Sequence, residues 1–154
     1  MSHAAPEGPG DAVCPLCAGA GGMVVWAGAG MRLIRADEAL HPAFFRLVWD
    51  AHVPEFSDLS PLQRATCIDA LALVERGMRD ALRPDKMNLA SLGNMVPHLH
   101  WHLIARWRDD SHWPQPVWAP AQRAADDARL HALRARLPAI DAQLAAALRA
   151  RFDA

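Results

Sequence analysis

Between Val96 and Ile104 the chain reads Val-Pro-His-Leu-His-Trp-His-Leu-Ile, which sets three imidazoles at every second position with large apolar residues between them. A helix would scatter that alternation around its circumference, whereas an extended chain sends successive side chains to opposite faces. The pattern predicts a strand over 98–105 with His98, His100 and His102 in one row and Leu99, Trp101 and Leu103 entering a core. Any fold adopted by this chain must therefore put an apolar layer behind that strand and leave its other face accessible.

The row also restricts the chemistry. Its outer imidazoles would lie on the order of 13 Å apart at about 3.3 Å per residue, too far for one zinc whose ligands sit near 2 Å. Histidine is also a nucleophile and a general acid with an unperturbed pKa of about 6.5, so such a row can divide attack, orientation and proton donation among its members. His100, with an imidazole on each side, is the natural nucleophile.

The run from His98 to Ile104 resembles the histidine triad (HIT) family of nucleotide hydrolases and transferases, whose signature is His-φ-His-φ-His-φ-φ with φ apolar. The similarity extends to Asn88, to Gly93-Asn94-Met95-Val96 before the triad and to Ala105-Arg106 after it. It reaches less specifically to Cys14-Pro-Leu-Cys17, Asp37 and the segment from Leu47 to His52, covering residues 13–120. The resemblance implies that His100 attacks the α-phosphorus of a nucleotide, giving a nucleotidyl-histidine that water then hydrolyses. It assigns His98 to fixing the tautomer of His100, and His102 to the phosphate or the leaving group. It places Asn88 and Asn94 in substrate binding, Asp37 on ribose hydroxyls and Arg106 on phosphate; for the last two a solvated surface role is the alternative. The branch that transfers nucleotides to sugar phosphates carries Gln at the third position, so His102 favours hydrolysis. Dinucleoside polyphosphates of the diadenosine tetraphosphate type and nucleoside phosphoramidates are the implied substrates, and a homodimer the implied assembly. In place of the family's Gln-Ser stand Asn94-Met95, and a thioether cannot donate a hydrogen bond. Two other readings are a nucleotide-binding regulatory protein with little turnover and a zinc-stabilised scaffold.

No cofactor is required for that chemistry, but Cys14 and Cys17 form a Cys-x-x-Cys pair able to give two thiolates to one zinc. Matching to the family nominates His52 and His98 as the remaining ligands of a structural zinc; a reduced, empty pair is the alternative. Three cysteines fit a reducing compartment, and Cys67 reads as a small core residue. A net charge of −1 offers no basic field for a nucleic-acid backbone, and no stretch reaches the roughly 20 apolar residues that cross a bilayer. A cytoplasmic location is expected, without nucleic-acid or membrane partners.

Residues 1–12, small and rich in Gly and Pro, are expected to form a disordered lead without the features of a signal peptide. The chain then reads as an α+β domain over 13–120. A hairpin (23–26 and 31–35) turns at Gly28-Ala29-Gly30, and a strand follows at 44–49. Ser60-Pro61-Leu62-Gln63 is a capping box opening a helix to about Leu82, buried along Ile68, Leu71, Leu73, Val74, Met78 and Leu82. Strands at 87–92 and 98–105 complete a five-stranded antiparallel sheet with the long helix packed behind the triad. Trp113 and Trp118 sit in a proline-rich loop, where packing or stacking on a base are both open. Residues 121–154 form a helical extension with an apolar stripe from Leu130 to Leu148, expected to be kinked or split at Pro138.

Overall fold

The computed structural model describes residues 13–153; the expected disorder of 1–12 lies outside them. A four-residue helix, α1 (Pro15–Ala18), leads into β1 (Met23–Gly28), β2 (Met31–Arg35) and β3 (Phe44–Trp49). The long helix α2 (Pro61–Leu82), strands β4 (Lys86–Ala90) and β5 (His100–Arg106), and the helix α3 (Asp127–Phe152) follow. The strands form one antiparallel sheet in the order β1-β2-β3-β5-β4, so the triad strand is internal, paired with β3 on one side and β4 on the other. Ala29 and Gly30 close the first hairpin, both at positive φ, the turn whose twist matches that of paired strands.

Register fixes which side chains share a face. On β3 and β5 the pairs Arg46 with His102 and Val48 with His100 point to one side, and Leu47 with Trp101 and Phe45 with Leu103 to the other. The second side is the core, where Phe45, Leu47 and Leu103 are fully buried against α2. Ser60 accepts from the Gln63 amide while Gln63 reaches back to the Ser60 amide, so α2 starts at the predicted capping box. Its buried stripe is Cys67, Ala70, Leu71, Val74, Met78 and Leu82. Ile68 is instead 47% exposed, because Cys67 takes the core-facing position one residue earlier.

Strand boundaries move by one or two residues: β1 runs on to Gly28 rather than ending at 26, β4 starts one residue early at Lys86 and β5 ends one residue late at Arg106. β4 ends at Ala90 rather than 92, and β5 begins at His100 rather than at His98. The His98 amide donates to the Val96 carbonyl at 2.8 Å, closing a γ-turn around Pro97, and this turn keeps His98 out of the ladder.

α3 is one helix, not two. Pro138 and Arg134 both lie on its exposed face, so the Arg134 carbonyl that loses its amide partner can turn to water. Leu133, Leu137, Ile140, Leu144, Ala145 and Leu148 enter the same core as the sheet and α2. Asp141 forks onto Arg35 of β2 at 3.0 to 3.1 Å, and Leu144 occupies the space left by Gly77, where a Cβ would stand 2.6 Å from its Cδ2. Leu144→Ala is expected to lower unfolding stability by roughly 2–5 kcal/mol in urea titration; a loss under about 0.5 kcal/mol, the size of an ordinary surface change, would show that α3 is an appendage rather than part of the core.

Candidate functional site

The sheet face opposite α2 carries a cleft of about 560 Å³, within the usual range of about 300–1,000 Å³ for small-molecule sites. His100 and His102 rise from its floor, with Arg46 beside them from β3. The segment from Leu92 to Val96 forms one wall, and Pro15, Leu16 and Gly21 form another. Trp118, 53% exposed, lies edge-on to His102 with ring centroids 5.2 Å apart. Gly93, at φ +73°, turns the chain where the first wall approaches the floor.

The two cleft imidazoles are held in different proton arrangements. His100 Nδ1 lies 2.6 Å from the carbonyl oxygen of His98, an acceptor only, so Nδ1 carries the hydrogen and donates. Its Nε2 is left with a lone pair. The rings of His100 and His102 stand 4.9 Å apart. His102 Nδ1 is buried with no partner, which favours the tautomer whose hydrogen is on Nε2. Burial lowers the pKa of both, with the Arg46 charge adding to the effect; for His102 the value falls to about 4. Both rings are therefore neutral near pH 7, one presenting an unprotonated nitrogen and the other an N–H.

His98 itself does not face the cleft. Its Nε2 donates to the Trp49 carbonyl at 2.6 Å, which leaves Nδ1 unprotonated and turned towards Cys14 Sγ (3.4 Å), Cys17 Sγ (3.5 Å) and His52 Nδ1 (3.2 Å). Cys17 Sγ is 3.3 Å from His52 Nδ1, and the four atoms all lie within 4.8 Å of one another. Around a tetrahedral zinc with ligands at about 2.0–2.3 Å, neighbouring donors are separated by about 3.3–3.8 Å. The donor set and its spacing fit such an ion. Several elements assemble it: the α1 turn brings the thiols, the end of β3 brings His52 and the γ-turn brings His98. Arg32 of β2 ties that turn to the sheet, donating to the carbonyls of Leu16, Gly19 and Ala20 and pairing with Asp50.

The other expected site residues divide. Asn94 lines the cleft, as does Met95, 93% exposed. Arg106 is 2% exposed and serves as an internal clamp rather than a phosphate fork at the rim. It donates to Asp110 at 2.7 and 3.0 Å, to Asn88 Oδ1 at 2.9 Å and to the Gln115 carbonyl at 2.8 Å. Asn88 is thereby engaged with Arg106 and does not line the cleft, and Asp37 is exposed on the β2–β3 connection, also outside the lining. The Arg106–Asp110 pair and the buried contact of His41 Nε2 with His112 Nδ1 (2.9 Å) fasten the loop after β5, which carries Trp118 to the cleft. Trp113 packs over Arg106 instead, 5.9 Å from its guanidinium. Arg46 was not singled out from the sequence, although the signal was present: a lone charge in the apolar run Phe44-Phe45-Arg46-Leu47-Val48-Trp49, at the alternation that shares a face with the triad.

An internal strand that gives paired imidazoles to a cleft, in a five-stranded antiparallel sheet backed by a long helix, defines a histidine-triad α+β protein. The HIT domain family model matches residues 23–109, and the chain belongs to that family. Among solved structures it is similar to a histidine triad protein from Bradyrhizobium japonicum (29% identity, 81% of this chain and 89% of that one, TM-score 0.67). A histidine triad protein from Marinobacter aquaeolei VT8 is similar to the same degree (27% identity, 86% and 97%, TM-score 0.67). A zinc-bound histidine triad family protein from Mycobacterium smegmatis shares the fold at 19% identity (84% and 96%, TM-score 0.57). No curated protein matches the chain.

Asp110 accepts from the Arg106 guanidinium and from the amides of Trp107, His112 and Trp113. Although burial opposes it, these donors and the Arg106 charge hold its carboxyl down at about 2. A folded-state pKa below the unfolded one gives stability that is present above the unfolded value near 3.8 and is lost as the pH falls through about 2. Asp110→Asn is accordingly expected to lower stability by roughly 2 kcal/mol or more at pH 7, and the gap from wild type should close between about pH 4 and pH 2. Denaturant titrations at several pH values check this; a gap independent of pH would refute the assignment.

Proposed function

We propose that this protein is a nucleotide hydrolase that cleaves at the α-phosphorus of a dinucleoside polyphosphate or a nucleoside phosphoramidate, through a covalent nucleotidyl intermediate on His100. The observation that carries this reading is the 2.6 Å bond from His100 Nδ1 to the His98 carbonyl, which leaves Nε2 unprotonated above the cleft floor. In the first step the Nε2 lone pair forms a P–N bond as the bond from phosphorus to the leaving oxygen or nitrogen breaks. The Nε2–H of His102 donates to a non-bridging phosphate oxygen, and the leaving group takes its proton from solvent. In the second step water attacks phosphorus and releases a proton to solvent, the P–N bond to His100 breaks with its electron pair returning to Nε2, and the nucleoside monophosphate departs with the water oxygen. The apolar side chains of Leu16, Leu92 and Trp118 beside the cleft lower the local polarity and strengthen charge interactions within it, while the open side admits water for the second step.

Family membership supports nucleotide chemistry in general, and His102 in the third position supports hydrolysis over sugar-nucleotide transfer. We extend the proposal to a homodimer in a reducing, cytoplasmic setting, in keeping with free Cys14, Cys17 and Cys67, and with Leu89 and Leu92 exposed near the outer strand β4. No described helix is long and apolar enough to cross a membrane. The same proposal gives Cys14, Cys17, His52 and His98 a structural zinc, which would fix the α1 turn and the His98 ring and take no part in bond breaking.

Two experiments test these assignments. Nucleoside monophosphate release from diadenosine tetraphosphate and from an adenosine phosphoramidate is expected for the wild type, with a fall on the order of a thousandfold or more in His100→Ala. Tight nucleotide binding without release would turn the reading to a binding protein, and release undiminished in the variant would remove His100 from the mechanism. For the metal, about one zinc per chain is expected by elemental analysis, with chelation or Cys17→Ser lowering the melting temperature by several degrees. Absence of zinc after purification with added metal, with a melting temperature indifferent to chelator, would overturn that site.

A further inference from the structure

Four arginines lie on the strands, and three of them are committed to internal partners. Arg32 binds three carbonyls and Asp50, Arg35 forks onto Asp141, and Arg106 is closed by Asp110, Asn88 and the Gln115 carbonyl. Arg46 differs. Among the described residues its only ion-pair partner is Glu38 at 3.6 Å, an exposed side chain beyond hydrogen-bond distance. Its Nε is buried and has no partner among them, an arrangement that costs free energy until an acceptor arrives. The guanidinium rests 5.2 Å from the Phe44 ring centroid, which holds the plane beside the cleft without consuming its donors.

Position adds to chemistry. Among the described residues Arg46 is the only arginine, lysine or carboxylate residue lining the cleft, so they give it a single permanent charge and it is positive. It sits opposite His102 in the β3–β5 ladder, whereas His100 sits opposite Val48. The charge is therefore one step of the pleat, roughly 6–7 Å along the strand, from the level of the nucleophile. Where the family resemblance provides a hydroxyl donor for phosphate, this chain has the thioether of Met95, which leaves a donor to be supplied from elsewhere.

We infer that Arg46 is the phosphate anchor of this cleft, binding the phosphate next to the one attacked by His100, on the leaving-group side, so that the site prefers nucleotides whose leaving group is itself a phosphate chain over those that release an uncharged amine. The inference rests on the nucleotide-hydrolase reading and selects within it. A guanidinium fork matches two phosphate oxygens, and a contact made to the leaving phosphate grows stronger as charge develops there.

The test compares wild type, Arg46→Met and Arg46→Lys on diadenosine tetraphosphate and on an adenosine phosphoramidate, with calorimetric binding of inorganic tripolyphosphate measured in parallel. Arg46→Met keeps length and apolar contact with Phe44 while removing the charge. It is expected to reduce kcat/KM for the tetraphosphate at least tenfold more than for the phosphoramidate, and to weaken tripolyphosphate binding at least tenfold. Arg46→Lys is expected to restore part of the preference. Equal losses on both substrates would overturn the assignment to the leaving-group side, and unchanged tripolyphosphate affinity would overturn the anchor itself. Wild type that hydrolyses neither substrate yet binds tripolyphosphate through Arg46 would sink the hydrolase reading and the substrate preference while leaving the anion site standing. A melting temperature for each variant separates loss of charge from loss of fold.

Discussion

The site depends on how one residue, His98, is held. Its ring is pinned by donation from Nε2 to the Trp49 carbonyl, and its own carbonyl accepts from His100 Nδ1, each at 2.6 Å. One side chain thus links the end of β3, the turn before β5 and the cysteine turn, and its backbone decides which nitrogen of the next histidine is free. Without that acceptor the His100 ring could carry its hydrogen on either nitrogen, and part of its population would present an N–H to the cleft where the bonded ring presents a lone pair. The triad is accordingly arranged as a pair in the cleft and a third member behind it whose carbonyl fixes the ring of its neighbour.

Much of this was legible in the chain itself. Alternation around His100 identified the strand, Ser60 and Gln63 marked the start of α2, and the Gly-rich turn defined the first hairpin, because each rests on local geometry written in adjacent residues. The cluster of Cys14, Cys17, His52 and His98 was legible only through family resemblance, since the two cysteines are 35 or more positions from His52 and nothing in spacing alone selects one histidine among eight. What could not be read was partnership between distant side chains. Arg106 looks like a phosphate ligand when only its place after the triad is known, and becomes a clamp once Asp110 folds back on it. Ile68 was assigned to the core because helical periodicity cannot tell which of two neighbouring apolar residues faces the sheet. The strand start at His98 failed for a comparable reason, as the γ-turn at Pro97 overrides an alternation that otherwise continues through it.

Electrostatically the site is spare. Two neutral imidazoles and one guanidinium face an apolar surround, and no carboxylate lines the cleft among the described residues. An anion entering such a space meets little competition from fixed negative charge, and the low-polarity walls leave its attraction to the cation weakly screened. Two carboxylates act elsewhere, Asp110 in the loop after β5 and Asp141 on α3, and each ties its outer element to an arginine of the sheet.

The wall formed by Pro15, Leu16 and Gly21 belongs to the same turn that carries Cys14 and Cys17. Leu16 packs on Ile34 and Val48, so the turn is both a ligand-bearing loop and one bank of the cleft. Two equilibria that look separate, order in the cysteine turn and occupancy of the cleft, therefore share one structural variable. Thermodynamic reciprocity then makes the coupling symmetrical: by however much order in the turn alters the hold on a molecule touching that bank, the molecule alters order in the turn by the same free energy.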